Sequence, residues 1–580
     1  MVDSEDPSGF NTADAILTKL KEIGVSNIFM NSGTDYAPII ESYSKLKSRK
    51  IPLPEMIVVP HEGPAVAMAM GYYLAKGVPQ AVMVHTVPGS FNSLNNTANA
   101  RNMYVPLYLI AGRTPVTERG NFAGKDLAVH WFQELRDQGE VLRQICKWDW
   151  EHRFGDQVYD ELVRGYEMAV SEPMGPVYIT FPREKLSEKS VPSDTGKLPS
   201  PISFGGPDSK VIEKIVHELL NAKNPLVTTG FLGRNTAAVV ELIRLCERLS
   251  IPVIQSFYYL SFPTNHELYA GKVGGKFANE MLSRSDLVIA IDVDIPWVPS
   301  QCSPKNGAKV ILIDSDPLKE AIPTWNFRVD MRVKGNSGII LSEINRKLEK
   351  SSVSVSDNYD LIRARFSEVR SHHMKMKEYF RSYATGHSKD RPIDPSWLSY
   401  CLNNEVKDGT LIFAETVRSP FFEYLTTDNY SFTFSTSPFG GLGWSFGTAL
   451  GAKLGKQEST VIALMGDGSY IYNNPVACHY VSRSRDLPIL SVIYNNGSWM
   501  ASRDPVEHMY PEGYAVRNKE FPGTVLKPSP DFELVARSCG ARSLRIESPD
   551  DVESVIKESL KYLEEERNQV LLNVILKEPA

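Results

Sequence analysis

Two short apolar runs, Val461-Ile462-Ala463-Leu464-Met465 and Leu487 to Tyr494, flank a helix-like stretch that ends near Arg485. Both are too short for buried helices and rich in branched side chains, so they read as parallel strands joined by a crossover helix. Asn474 is placed to cap that helix and Pro475 to occupy its first turn. Gly466-Asp467-Gly468-Ser469 follows the first strand, and Asn495-Asn496 follows the second. Asp467 and Asn496 are therefore expected at the carboxyl edge of one sheet, where open α/β sheets bind ligands. One carboxylate, one amide oxygen and a nearby backbone carbonyl suit a hard divalent cation that keeps other positions for phosphate oxygens and water. Gly466 and Gly468 let backbone N–H groups approach a diphosphate, and the Ser469 hydroxyl opens the next turn. Taken singly, Gly-Asp-Gly is a turn and Asn-Asn a strand end; their pairing on successive strands points to a metal–diphosphate site.

The same strand–turn–helix rhythm recurs along the chain. Asn27 to Met30, Ile57 to Pro60, Ala81 to Val84, Val105 to Ile110 and Pro176 to Thr180 belong to a first unit, 10–190, whose opening helix is capped by Thr12 and ended by Gly24. A second, 205–350, holds Pro225 to Gly230, Pro252 to Ile254, Leu287 to Asp292 and Val310 to Asp314. A polar connector, 351–389, precedes the third, 390–575. The expected fold is α/β, with three doubly wound parallel-sheet domains. A length of 580 residues accommodates three cores. The net charge of −6 without a basic stripe excludes a nucleic-acid partner, and no apolar run is long enough for a membrane span. Six dispersed cysteines, with no Cys-x-x-Cys pair and an acidic polar start, fit a cytoplasmic protein with reduced thiols.

Gly-Asp-Gly, a spacer slightly longer than usual, then Asn-Asn resembles the signature of thiamine diphosphate (ThDP) enzymes, of acetolactate synthase-like and benzoylformate decarboxylase-like type. The resemblance covers nearly the whole chain, in the order pyrimidine-binding, central Rossmann-like and diphosphate-binding domains. It implies that Asp467, Asn496 and the Ser498 carbonyl hold Mg²⁺. It implies that Glu62, in Pro60-His61-Glu62-Gly63 before an Ala-rich helix, hydrogen-bonds the cofactor's aminopyrimidine and shares a proton with it. Alone, a glutamate there would serve the helix dipole. Leu442, in Gly440-Gly441-Leu442-Gly443-Trp444, takes the place of the apolar wedge beneath the cofactor; as a bare sequence the stretch is a tight packing turn. Arg418 and Ser419 fall where relatives touch the diphosphate, although Arg418 equally suits a surface ion pair.

His85 ends a strand before Thr-Val-Pro-Gly-Ser-Phe-Asn, at the position of the active-site histidine of benzoylformate decarboxylases, which implies a proton relay. Gln133, in Trp131-Phe132-Gln133-Glu134, resembles the Phe-Gln-Glu of acetolactate synthases and is placed to donate to a substrate carbonyl; otherwise it is an exposed helical amide. Thr34 falls where relatives carry an active-site Asp, Ser or Gly. In the middle unit, Gly230-Phe231-Leu232-Gly233-Arg234-Asn235 lacks the full dinucleotide fingerprint, and Asp292-Val293-Asp294 departs from the FAD-binding segment of acetolactate synthases, so FAD is doubtful. The stretch from Trp499 to Pro530 is expected to be a loop that serves as a lid.

The implied activity is decarboxylation of a 2-oxo acid, with the product protonated or joined to an aldehyde or a second 2-oxo acid. The family's site meets across a subunit boundary, so a homodimer or homotetramer follows. Three other readings stay open: a lyase of the 2-hydroxyacyl-CoA lyase or oxalyl-CoA decarboxylase type, a ThDP-binding protein without turnover, and a Rossmann-type dehydrogenase.

Overall fold

The computed structural model describes residues 9–191, 198, 200, 202, 204–350, 358–415, 420–428, 433–434 and 437–577. Its apolar runs assemble into three six-stranded sheets, in which the strand pairs are parallel. The first holds β1 (Asn27–Asn31), β2 (Glu55–Val58), β3 (Ala81–Val84), β4 (Tyr108–Arg113), β5 (Trp148–Glu151) and β6 (Val177–Pro182), in the order β2-β1-β3-β4-β6-β5. The second holds β7 (Pro225–Thr229), β8 (Val253–Gln255), β9 (Tyr269–Lys272), β10 (Leu287–Ile291), β11 (Lys309–Asp314) and β12 (Met331–Lys334), in the order β12-β11-β10-β7-β8-β9. The third holds β13 (Leu411–Glu415), β14 (Thr433–Phe434), β15 (Val461–Gly466), β16 (Leu490–Asn495), β17 (Arg542–Ile546) and β18 (Val570–Ile575), in the order β14-β13-β15-β16-β18-β17. Counted within each sheet, the first and third share one strand order, and the second has that of a dinucleotide-binding fold. Among the described residues, no helix is long and apolar enough to cross a membrane.

Several sequence expectations shift. Asn11, not Thr12, caps α1 (Thr12–Ile23), in a reciprocal capping box with Asp14, while Gly24 ends it in the left-handed conformation as expected. The run from Val105 becomes strand only at Tyr108, and β5, a half-exposed strand with alternating Trp and acid, lies outside β6. Most of the polar connector is one helix of 28 residues, α4 (Tyr359–Gly386). The stretch after Trp499 is not a bare loop, since it contains helices Met500–Met509 and Tyr514–Asn518.

The first and third sheets meet through two helices of small residues. These are α2 (Glu62–Lys76) and α5 (Ser445–Gly455). Their backbones touch: a Cβ on Gly71 would lie 1.8 Å from the Thr448 carbonyl oxygen, and one on Gly451 would lie 1.9 Å from that of Met68. Only glycine permits such an approach. This contact fixes where the amino-terminal ends of both helices point, and both ends carry site residues.

Candidate functional site

The carboxyl edge of the third sheet opens into a cavity of about 640 Å³, within the range of small-molecule sites. Leu442, Gly466, Asp467, Gly468, Ser469, Asn496 and Ser498 all line it. Asp467 begins a short helix, α6 (Asp467–Tyr472), so Gly-Asp-Gly is a helix start here and not a free turn. Its two carboxylate oxygens accept N–H bonds from Gly468 and Gly497, both at 2.7 Å, which aim the group at the gap between β15 and β16. Burial pushes the Asp467 carboxyl above the usual range, against the pull of those backbone donors. No lysine or arginine pairs with it among the described residues, so a divalent cation would supply the counter-charge that the chain does not. The Asn496 amide oxygen accepts from Ser498 N–H at 3.0 Å, folding that loop back toward Asp467. Trp499 lines the same cavity with its buried indole N–H unpartnered, a free donor suited to a phosphate oxygen. These residues fit a magnesium-bound diphosphate.

Asn474 precedes α7 (Pro475–Ser484), but it adopts φ +50° and its side chain makes no capping bond, contrary to the sequence expectation. Arg418 and Ser419 lie outside the described residues.

The Leu442 turn is held from two sides. On one side, Asn95, Asn96 and Asn99 of α3 (Thr86–Asn102) donate to the carbonyls of Leu442 (2.7 Å), Gly443 (3.0 Å) and Gly441 (2.9 Å). On the other, the buried Glu415 carboxylate at the end of β13 accepts from the N–H groups of Gly443, Trp444 (3.0 Å) and Ser445 (2.8 Å), and from Asn473 Nδ2 (3.1 Å). It acts as a remote cap on α5, a negative charge at the positive end of a helix. Gly443, at φ +95°, leaves no room for a side chain, because a Cβ would lie 2.3 Å from the Tyr472 carbonyl oxygen. Sequence reading missed the roles of Glu415 and Asn473; an acid ending a buried strand was the one signal.

Glu62, His85 and Gln133 form a separate cluster on the first sheet and do not line the cavity. Glu62 is buried at the start of α2, where Asn92 donates to its Oε2 at 3.1 Å and His61 caps the helix. His85 sits between Asp35, bonded to its Nδ1, and Gln133, whose Oε1 is 3.2 Å from Nε2. Asp35 is almost wholly buried, and its second oxygen has no partner. Burial lowers the basicity of His85, but the Asp35 bond and charge, then Gln133 and Glu62, raise it above the ordinary imidazole value on balance. Gly33 makes room for the ring, since a Cβ there would fall 2.0 Å from His85 Nδ1. Thr34 bonds His130 (3.2 Å), which in turn faces Asp126 (3.3 Å). Asp35 escaped sequence reading because only the fold brings it to His85.

At the carboxyl edge of the middle sheet the chain fills its own crevice. Lys319 is buried between Asp294 (2.9 Å) and Asp314 (2.6 Å), and Tyr104 donates to Asp294 at 2.8 Å. Burial and the neighbouring Asp314 push the Asp292 carboxyl up to about 7. Gly233 packs on backbone, its Cβ position 2.4 Å from the Leu260 carbonyl oxygen, and Arg234 pairs with Glu172 at 3.1 Å.

Three family models match the chain: the thiamine pyrophosphate enzyme N-terminal TPP binding domain over residues 10–141, its central domain over 212–344, and its C-terminal TPP binding domain over 421–574. A curated relative, described as a probable acetolactate synthase large subunit of Methanococcus aeolicus, is 26% identical across 86% of this chain and 82% of its own length. The sulfoacetaldehyde acetyltransferase of Castellaniella defragrans is 22% identical, covering 97% of this chain and 92% of its own. In fold, the chain is similar to the thiamine diphosphate-dependent 4-hydroxybenzoylformate decarboxylase of Rhodococcus jostii, with a TM-score of 0.75 at 20% identity over 98% of this chain and 99% of that one.

Proposed function

The chain belongs to the thiamine pyrophosphate enzyme family, and from that premise we propose that it is a ThDP- and Mg²⁺-dependent decarboxylase or carboligase of 2-oxo acids, acetolactate synthase-like in type. The observation that carries the reading is the division of the site: a metal–diphosphate cradle with Leu442 on the third sheet, and Glu62, His85 and Gln133 clustered on the first. ThDP, when bound, supplies a carbon nucleophile and a sink for the electron pair released with carbon dioxide. Asp467, Asn496 and the Ser498 carbonyl would hold the Mg²⁺, and Leu442 would support the cofactor from below. Glu62, shielded and fixed by Asn92, would hold and return a proton at the pyrimidine ring, while Gln133 orients the substrate carbonyl.

Glu62 does not reach the Asp467 cavity within one chain, so the two halves are joined between copies, as a homodimer or a pair of dimers. The half-exposed Phe91, Tyr472, Val476 and Tyr480, on α3, α6 and α7, offer the apolar surface such an interface needs. The rival reading, a lyase acting on acyl-CoA, calls for a nucleotide in the middle unit. There Asp294 and Asp314 hold one buried lysine, and Asp292 lies beside Asp314, an environment that repels a diphosphate.

The test is a screen of 2-oxo acids by carbon dioxide release, with wild type beside Glu62→Gln. Loss of a positioned proton carrier is expected to cost about 100-fold or more, with ThDP still bound. Full activity in the variant would remove Glu62 from this role, and ADP binding by the wild type would favour the acyl-CoA reading.

A further inference from the structure

The surroundings of His85 bear on what becomes of the substrate carbon. Its Nδ1 faces a carboxylate oxygen and its Nε2 faces an amide oxygen. A ring with an acceptor at each nitrogen satisfies both only when both carry hydrogen, which is the imidazolium form. Asp35 needs that cation as much as it supports it. The carboxylate is 1% exposed, one of its oxygens is orphaned, and its packing against Gly112 leaves no space for another ion, since a Cβ there would lie 1.5 Å from Asp35 Oδ2. A buried carboxylate without a counter-charge is costly, and the imidazolium provides one.

The other charges facing this pocket do not supplant it. From α2, Glu62 adds a second negative charge toward the ring. From the opposite wall, Lys125 is tied to Glu134 (2.6 Å), and Arg183 to Asp126 (3.0 Å) and the Ala123 carbonyl (2.8 Å). His130 is bonded to Thr34, and burial lowers its basicity.

Resting on the reading that this is a 2-oxo acid decarboxylating site, we propose that Asp35 is a positioning residue that, with Gln133, holds His85 as an imidazolium. His85 thereby protonates the substrate carbon after carbon dioxide leaves, and aldehyde release is the main outcome. In that step the imidazolium N–H bond breaks and a C–H bond forms with the electron pair left by carbon dioxide. The imidazole is left neutral and recovers its proton from solvent. A standing proton donor competes with a second carbonyl compound for that electron pair, so joining two substrates is the minor path.

Two measurements test this. The first uses the cofactor-free full chain: diethyl pyrocarbonate modifies only neutral imidazole, and mass spectrometry of the peptide carrying His85 gives its titration midpoint. A nearby opposite charge moves a pKa by about one to three units. The wild-type midpoint is therefore expected above the ordinary imidazole value, and Asp35→Asn is expected to lower it by at least about one unit, a tenfold change. A wild-type midpoint at or below the ordinary value overturns the proposal, and that result does not depend on the variant folding.

The second uses the holoenzyme and reads the ratio of aldehyde to 2-hydroxy ketone. Asp35→Asn is expected to shift it about tenfold toward the ketone at neutral pH, with ThDP–Mg²⁺ affinity by tryptophan fluorescence unchanged. An unchanged ratio overturns the proposal alone. Failure of the wild type to bind ThDP overturns the functional reading beneath it as well.

Discussion

Replacing Gly451 by alanine tests the joint between the first and third sheets. The added carbon would sit 1.9 Å from the Met68 carbonyl oxygen and 2.6 Å from its carbonyl carbon, both backbone atoms that cannot rotate away. A carbon against a carbonyl oxygen rests at about 3.3 Å, so α2 and α5 must separate by roughly 1.4 Å. A gap of that size forfeits more than about half of the dispersion energy along the seam. Overpacking of a tight core typically costs about 1–3 kcal/mol; the upper end applies here, and alanine's better helix propensity returns about 1 kcal/mol. The net loss is therefore about 2 kcal/mol. It is read by urea unfolding followed through tryptophan fluorescence, Trp444 being fully buried beside the seam. Gly386→Ala is the control, because a Cβ there meets nothing within 4 Å and a glycine at the end of a helix is replaced without a clash. ThDP–Mg²⁺ affinity should fall together with stability, since α5 begins directly after the Leu442 turn. If Gly451→Ala unfolds at the same urea concentration as Gly386→Ala, the helices do not touch as described.

Glu415→Gln keeps the shape but replaces one acceptor oxygen by an NH₂ group, which loses the Gly443 bond if it takes the Oε1 place and the Trp444, Ser445 and Asn473 bonds if it takes the Oε2 place, so the Leu442 turn loosens. A destabilisation of about 2–4 kcal/mol is expected by urea unfolding, with weaker ThDP binding; wild-type stability would show that Glu415 does not cap α5. His479, buried between Tyr470 and Gln569, has its pKa lowered to about 4 by burial. The folded state therefore binds fewer protons than the unfolded state between about pH 6.5 and 4. Stability contributed by the neutral ring is complete above that window and falls as pH drops through it, by about 3 kcal/mol in all. Unfolding midpoints measured across these pH values should show this slope in wild type and a flatter one in His479→Gln.

What could be read from the sequence was set by burial. Strands covered on both faces, such as β3, β7, β10 and β15, are unbroken apolar runs that a pattern finds directly. The edge strands β5, β12 and β17 carry Asp, Glu, Lys or Arg because one side meets solvent, and they pass as loops. β18 is an interior apolar run that the sequence reading leaves unassigned. Asp467 and Asn496 were legible because they follow recognisable strands at fixed offsets. Asp35 and Glu415 were not, because their partners lie on other elements. The capping error at Thr12 has a similar root. Asn11 and Thr12 both suit a helix start, and the choice fell to Asp14, placed to close the box with Asn11.

The asparagines of α3 show why the two halves of the site depend on one another. The first turns of α3 serve the first-sheet cluster: His85 precedes its first residue, and Asn92 fixes Glu62. The next turns clamp the Leu442 loop of the third sheet through Asn95, Asn96 and Asn99. A shift of this one helix would therefore disturb Glu62, His85 and the Leu442 turn together. Because α2 and α5 lock the same two sheets backbone to backbone, the chain presents both half-sites in a fixed relation before any partner arrives. Under the proposed assembly, a second copy then needs only to dock rigidly, its Glu62 meeting this chain's Asp467 cavity and the reverse, so two complete sites form in one step.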